Sequence, residues 1–184
     1  KYNEQNISLV EESNLIDSIE KNNLESFQKE FLKNLIKDYY EDPVIKLSKQ
    51  YENNHLEFKS SFRTDLDHEG KVPENKLINQ VVKTVGGFCN TGGGNLLIGV
   101  SDDNKIIGIE VDKFKNNDEF LQSLTQQISN KTNPDVMNLP GVIEISLHQI
   151  EGKTICNVYV EPTEKNIFVT YNNDKIFYKR KGPK

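Results

Sequence analysis

Four charged side chains near two predicted strands are of the types that phosphate chemistry needs. Glu52 and Glu57 flank the start of one segment, and Asp102 follows a compact apolar run, Leu96 to Val100. Carboxylates suit Mg²⁺ or Mn²⁺, and such an ion binds phosphate and lowers the pKa of a bound water. Lys59 lies on the same strand face as Glu57 and could contact phosphate. If the strands are neighbours, the acids are predicted to converge on one ion, although acids are also common at strand ends.

A glycine-rich turn separates the predicted helix from the strand that must position Asp102. The helix has apolar residues at helical spacing, namely Leu77, Ile78, Val81, Val82 and Val85. We expect Gly86 and Gly87 to end it and residues 90–94, Asn-Thr-Gly-Gly-Gly, to form the turn. Because this turn follows a helix and lacks Gly-Lys-Ser/Thr, it does not match the Walker pattern. Asn90, Thr91, Gly93 and Gly94 are therefore predicted to be structural.

The remaining pattern predicts a helical segment at residues 1–46 and a main domain at 47–184. The first segment has two helical apolar stripes, and Ser8 and Glu11 have the spacing of a capping box. In the main domain we expect a strand ending at Lys59, the helix and strand around the glycine turn, and a return strand over 106–110. A helix over 117–130 and two hairpins, 142–160 and 167–180, follow. This order predicts an α+β fold with one mixed sheet and helices packed on it.

Composition restricts the function classes. The net charge of −5 argues against a uniformly basic nucleic-acid-binding surface. Basic residues nevertheless crowd the last stretch, as a local binding site or as a solvated face: Lys175, Lys179, Arg180, Lys181 and Lys184. Cys89 and Cys156 lie in apolar runs, which predicts buried free thiols and a reducing, cytoplasmic setting. Their spacing does not favour structural zinc, and no run is long enough to span a membrane.

Four blocks occur in the order found in one known family. They are Glu52-x-x-x-x-Glu57-Phe58-Lys59, the run Phe88 to Asp102, Ile107-Gly108, and Tyr178-x-Arg180-x-Gly182. With these blocks the sequence resembles the Schlafen AlbA-like domain from about Glu52 to its end. The resemblance implies an α+β fold and a nucleic-acid partner, RNA or DNA, and some bacterial members are described as transcriptional regulators or as ATP-binding.

The resemblance also implies roles for particular residues. Animal Schlafens cleave transfer and ribosomal RNA with three acids, which correspond here to Glu52, Glu57 and Asp102, with Asp103 as the alternative to the last. Lys59 and Arg180 match the family's lysine and arginine, and they would stabilise charge on phosphate. Lys179 and Lys181 beside Arg180 are further candidates for nucleic-acid contact.

Three functional hypotheses remain open. The chain could be a nucleic-acid-binding domain that cleaves structured RNA such as tRNA with Mg²⁺ or Mn²⁺. It could be a non-catalytic DNA-binding or regulatory module, or a dimerisation scaffold of a larger protein. The animal enzymes combine two such lobes and a zinc site, whereas this chain has one lobe and lacks the cysteines for that zinc. A homodimer, docked through the N-terminal helices, is therefore predicted as a source of the second lobe.

Overall fold

The computed structural model of the protein describes residues 2–66 and 71–181. The chain divides into two compact units, Lys1–Lys46 and Leu47–Lys184. The first unit contains α1 (Tyr2–Lys21) and α2 (Ser26–Tyr40), and α3 (Pro43–Ser48) spans the boundary. Because α1 begins before Ser8, the predicted capping box there is wrong. A capping box occurs instead at the start of α2, where the Glu25 backbone N–H donates to Oε1 of Gln28 at 3.0 Å.

The first unit exposes an apolar stripe along α2. Phe27, Phe31, Leu35 and Tyr39 recur at helical spacing, and each is at least half exposed. Glu20 of α1 holds α2 through an ion pair with Lys33, and its backbone carbonyl accepts from Lys29 Nζ at 2.8 Å. Nothing in the structure tests the predicted dimer, which therefore stays a prediction.

The second unit is α+β, as predicted, but its strands form two sheets rather than one. The four-stranded sheet has the order β1-β2-β5-β4, from β1 (Leu56–Lys59), β2 (Gly94–Ile98), β4 (Ile143–Ile150) and β5 (Lys153–Val160). Strands β1 and β2 are parallel, and the other pairs are antiparallel. The second sheet, with order β3-β6-β7, is formed by β3 (Thr132–Asn133), β6 (Phe168–Tyr171) and β7 (Asp174–Phe177).

Two helices cover the core of this unit. Helix α4 (Glu74–Cys89) packs against β2, β5 and β6, and α5 (Asn117–Lys131) packs against α4 and β6. The predicted apolar helix face is confirmed, since the side chains of Ile78, Val81, Val82 and Val85 are buried. Apolar side chains from both helices and both sheets form one core, so burial of this surface drives the fold.

Helix α4 continues through Gly86 and Gly87, so the prediction that these glycines end it is wrong. A Cβ on Gly86 would lie 2.6 Å from Cγ2 of Val169, and one on Gly87 would lie 3.3 Å from Cγ of Arg180. The glycines are therefore needed for the close approach of β6 and of the segment after β7, and their cost to the helix is about 1 kcal/mol each.

The region after β2 differs from the predicted hairpin. Residues 102 and 103 do form a turn, but the chain that follows the turn pairs back only through a single bridge between Val100 and Ile106. A short 3₁₀ helix, Ile109–Asp112, replaces the predicted strand. Gly99 and Gly108 both have positive φ and nearly touch, which bends the chain out of the sheet at this point.

Both thiols are free and buried, as predicted. Burial raises the pKa of the Cys89 thiol to about 12, and it also raises the pKa of Cys156. Within the described residues, no helix is both long and apolar enough to cross a bilayer.

The glycine turn gives a direct test of the fold. Gly93 has φ +71°, and a Cβ there would lie 2.5 Å from the Val160 carbonyl oxygen. We expect Gly93→Ala to lower the free energy of unfolding by about 3 kcal/mol, measured by urea denaturation, through backbone strain plus steric overlap. Gly141→Ala is the matched control, because Gly141 has φ +72° with open space around it, so only about 1 kcal/mol should be lost. Equal losses in the two variants would contradict the predicted steric role.

Candidate nucleic-acid interface

A polar groove lies at the carboxyl ends of the parallel strands β1 and β2. Its volume is about 330 Å³. Lys59 ends β1 and Asp102 follows β2, while Lys76 and Gln80 of α4 form the opposite wall. The remaining polar lining comes from the segment after β1, with Ser60, Ser61, Thr64 and Asp65. Ligands of sheets with parallel strands commonly bind at this edge, so we call this feature the strand-end groove.

Parallel pairing places the two strand ends together. Lys59 is in register with Ile98, and its carbonyl accepts from the backbone N–H groups of Gly99 at 2.8 Å and Val100 at 3.3 Å. Asp102 therefore emerges beside Lys59 at one edge of the sheet. The carboxylate of Asp102 is exposed and makes no ion pair or hydrogen bond with any residue that the structure describes.

Glu57 is held by two cations. Lys59 Nζ lies 2.6 Å from its Oε1, and Nη2 of Arg180 lies 2.9 Å from its Oε2. Burial raises the pKa of the Glu57 carboxyl, but the charges and hydrogen bonds of Lys59 and Arg180 outweigh burial and lower it below its ordinary value. Both oxygens of this carboxylate are therefore occupied by protein donors.

The three predicted metal ligands are not gathered around one point. Oε1 of Glu52 accepts from the backbone N–H of Phe58 at 2.7 Å, which fixes the chain before β1. Asp103, the alternative to Asp102, pairs with Lys105, whose hydrogen bond is the main cause of its lowered pKa. Among residues 2–66 and 71–181, no group of three acidic, histidine or cysteine side chains is placed to hold a metal ion. The side chains as arranged do not fit Mg²⁺ or Mn²⁺, and the metal site stays a prediction.

Arg180 binds protein rather than solvent. Its Nη2 donates to the Asn53 carbonyl at 2.8 Å and its Nε to the Asn54 carbonyl at 3.1 Å. The guanidinium lies 4.6 Å from the centre of the Phe88 ring, and only 12% of the side chain is exposed. These contacts make Arg180 a positioning residue that joins the end of the domain to β1.

The turn residues tie the same region together. The side-chain Nδ2 of Asn90 donates to the carbonyls of Ile167 at 2.7 Å and Tyr178 at 2.9 Å, and its Oδ1 accepts from the Ile167 N–H. Oγ1 of Thr91 accepts from the Arg180 N–H at 3.1 Å. Gly94 packs against the His55 carbonyl, where a Cβ would lie at 2.5 Å. The turn thus connects α4 to both ends of the β6–β7 hairpin.

One positioning residue carries no obvious sequence signal. Asp112 is buried, and its carboxylate accepts from the backbone N–H groups of Phe62 at 2.8 Å, Arg63 at 2.8 Å and Thr64 at 2.9 Å. It thereby fixes the segment after β1 that lines the strand-end groove. A single aspartate within a run of mixed residues gives no periodic pattern from which this role could be read.

A basic and aromatic surface adjoins the groove. Helix α4 and the β6–β7 hairpin border an open recess of about 160 Å³, which we call the hairpin cavity. Its α4 wall consists of polar side chains, Lys76, Asn79, Gln80 and Lys83. Its hairpin wall consists of Val169, Tyr171 and Tyr178. Because Lys76 and Gln80 line both the cavity and the strand-end groove, the two form one continuous surface.

Two exposed lysines, Lys76 and Lys83, line this surface, and three more lie on or after the β6–β7 hairpin. Five exposed lysines form no ion pair within the described part of the chain: Lys76, Lys83, Lys175, Lys179 and Lys181. Lys179 lies 5.9 Å from the ring centre of Phe177, and Lys83 lies 5.2 Å from that of Tyr178. Gly182, the last residue of the fourth sequence block, lies outside the described residues. Lysines interleaved with aromatic rings are typical of single-stranded nucleic-acid sites.

The comparisons with known proteins identify the family. The profile of the family described as "Schlafen, AlbA_2" matches residues 52–184, so the chain belongs to this family, as the four sequence blocks predicted. The family associates the chain with nucleic-acid-related function. No curated protein matches the chain.

Two solved structures show partial likeness. The DIP2311 protein from Corynebacterium diphtheriae matches at 17% identity and a TM-score of 0.45, over 67% of this chain and 22% of that one. The N-terminal domain of an ATP-dependent DNA helicase RecG-related protein from Nitrosomonas europaea matches at 22% identity and a TM-score of 0.45, over 76% of this chain and 86% of that one. This chain therefore spans about a fifth of the first relative.

The cluster formed by Glu57, Lys59 and Arg180, which we call the Glu57 cluster, predicts a specific pH dependence of stability. A carboxyl whose pKa is lowered on folding stabilises the fold above its unfolded-state pKa, and this contribution disappears as the pH falls through the folded-state pKa. We expect Glu57→Gln to lower the free energy of unfolding by about 1–3 kcal/mol at neutral pH, with the difference shrinking from about pH 5 downward. Urea denaturation of the wild type and the variant, from neutral pH to below about pH 5, measures this difference in stability.

The exposed Glu144 provides the matched control, because it forms no ion pair among the described residues. Glu144→Gln should change stability by less than about 0.5 kcal/mol at any pH in the range. A loss in Glu57→Gln that stays constant down to acid pH would show that the carboxylate charge is not what stabilises the cluster.

Proposed function

We propose that this domain binds nucleic acid through the continuous surface formed by the strand-end groove and the hairpin cavity. The observation that carries the proposal is that Lys76 and Lys83, which line this surface, are exposed and form no ion pair among the described residues of a chain whose net charge is −5. Family membership supports the same partner. Lysine contacts with phosphate release counterions, so the binding is strongly dependent on salt.

The roles of the basic residues differ within this proposal. Lys76 and Lys83 contact phosphates directly, and Lys59 contributes from the groove while also holding Glu57. Arg180 acts indirectly, because its donors are occupied by Glu57 and by backbone carbonyls. Loss of Arg180 would disturb the fold together with binding, so the lysines are the better probes.

Binding can be tested by fluorescence anisotropy with a labelled single-stranded RNA of about 15 nucleotides. Lys76→Ala and Lys83→Ala should each weaken binding about 3- to 10-fold and reduce the salt slope by about 0.7, because each removes one phosphate contact. Lys115→Ala is the matched control, since Lys115 is exposed and lines neither feature. Equal weakening in all three variants would indicate a net-charge effect and contradict the proposed surface.

The metal-dependent endoribonuclease hypothesis is the second candidate. The carboxylate of Asp102, exposed in the groove and without an ion pair among the described residues, favours it, whereas the occupied oxygens of Glu57 and the backbone contact of Glu52 oppose it. For a binding module, Asp102 only repels phosphate. For an enzyme, its carboxylate is required for turnover, so the two functions predict opposite effects of its removal.

Asp102→Asn separates the two functions. We expect the variant to bind RNA about 2- to 5-fold more tightly at low salt, because a negative charge beside the phosphates is removed. Incubation of tRNA with wild-type protein and Mg²⁺ or Mn²⁺, followed by gel analysis, provides the second readout. Metal-dependent cleavage that is lost in Asp102→Asn would overturn the binding-only function and establish the endoribonuclease. Asp103→Asn is the control, because Asp103 is paired with Lys105.

A further inference from the structure

The hairpin cavity has a size suited to one flat ring system. Its volume of about 160 Å³ is well below the roughly 300–1,000 Å³ of sites that hold drug-sized ligands. Val169, which is 1% exposed, provides an apolar wall, and the two tyrosines flank it. The cavity therefore favours a small, planar, partly apolar group over an extended ligand.

The strand register explains why both tyrosines reach this cavity. Val169 and Tyr171 are two residues apart on β6, so their side chains lie on the same face. Val169 is paired with Ile176 of β7, and Tyr178 continues that face two residues later. Val169 contacts α4 at Gly86, so this is the face of the hairpin that is turned toward the helix. The opposite face carries Phe168 and Phe177, whose ring centres are 5.7 Å apart.

A polar atom at the cavity wall lacks a partner. Oδ1 of Asn79 is buried and accepts no hydrogen bond from any described residue. An unsatisfied buried carbonyl costs about 1–3 kcal/mol, and because Oδ1 is shielded from solvent, a ligand N–H group reaches it only once the amide has turned toward the cavity. The charge around it is positive, from Lys76 and Lys83 on α4. The cavity thus combines stacking surfaces, a hydrogen-bond acceptor and cations suited to a phosphate.

We propose that the hairpin cavity binds one unpaired nucleobase of single-stranded nucleic acid, with Tyr171 stacking on the base and Asn79 accepting a hydrogen bond from its exocyclic amino group. This inference rests on the proposed nucleic-acid-binding function. A base within a duplex is stacked and paired, so only a single-stranded or extruded base enters a recess of this kind. The strand then continues into the strand-end groove past Lys76, which borders both features.

The acceptor, Oδ1 of Asn79, also predicts which bases bind more tightly. Adenine and cytosine present an exocyclic amino donor, whereas uracil presents a carbonyl at the corresponding position. A carbonyl placed against Oδ1 of Asn79 would leave both oxygens unsatisfied. We therefore expect oligo(A) and oligo(C) to bind more tightly than oligo(U) of equal length and charge.

The experiment measures binding of labelled oligo(A), oligo(U) and an RNA duplex by fluorescence anisotropy. Tyr171→Ala should weaken oligo(A) binding about 5- to 50-fold through the loss of stacking, and it should change duplex binding less than about 2-fold. Tyr171→Phe should retain most of the affinity, because the ring is kept. Asn79→Leu should reduce the preference for oligo(A) over oligo(U) about 10-fold or more, since its amide acceptor is removed.

Tyr159→Ala is the matched control. Tyr159 has the same 37% exposure as Tyr171, but it lies on β5 beside Glu161, away from the cavity. Unchanged oligo(A) binding in Tyr171→Ala, with wild-type duplex binding intact, would overturn the base-binding inference and leave the proposed function standing. Absence of binding to every nucleic acid by the folded wild-type protein would instead overturn the proposed function. Circular dichroism and thermal unfolding confirm that each variant is folded.

Discussion

The second unit depends on the contact between the Arg180 guanidinium and the chain around β1. One side chain satisfies two backbone carbonyls, at Asn53 and Asn54, and neutralises part of the Glu57 charge. Lys59 completes the neutralisation, so a half-buried carboxylate is retained without an uncompensated charge. In this arrangement each oxygen of Glu57 already accepts a hydrogen bond from a protein cation. The same interaction that stabilises the fold therefore competes with any ion for this carboxylate.

The family, the α+β class and the burial of the α4 face could all be predicted from the sequence, because they rest on local periodicity and on ordered motifs. The end of α4 was not predictable, because Gly86 and Gly87 normally signal a helix stop. In this fold they serve close packing against Val169 and Arg180, residues distant in sequence. The prediction of a single mixed sheet was wrong for a similar reason. Periodicity predicts strands, but the choice of partner strand depends on tertiary packing.

Prediction of the candidate site from sequence meets the same limit, because it too depends on tertiary packing. The sequence predicted that Glu52, Glu57 and Asp102 would converge if the two strands were neighbours, and β1 and β2 are indeed adjacent. The partners of each charge could not be derived from spacing, and these partners decide whether an acid is open to a ligand. Asp112 and Asn79 were not predicted, since Asp112 acts through backbone N–H groups and Asn79 lines a cavity formed by elements distant in sequence.

The Arg180 contact has a consequence for how the protein is made. It joins residues 127 positions apart, so nearly the whole domain must exist before the contact can form. At translation rates of about 5–20 residues per second, several seconds or more pass between the synthesis of β1 and the synthesis of Arg180. Closing so long a loop is slow, and the parallel β1–β2 edge stays incompletely anchored meanwhile. Until Arg180 has been made, the Asn53 and Asn54 carbonyls lack this donor and Glu57 has only Lys59 as its cation.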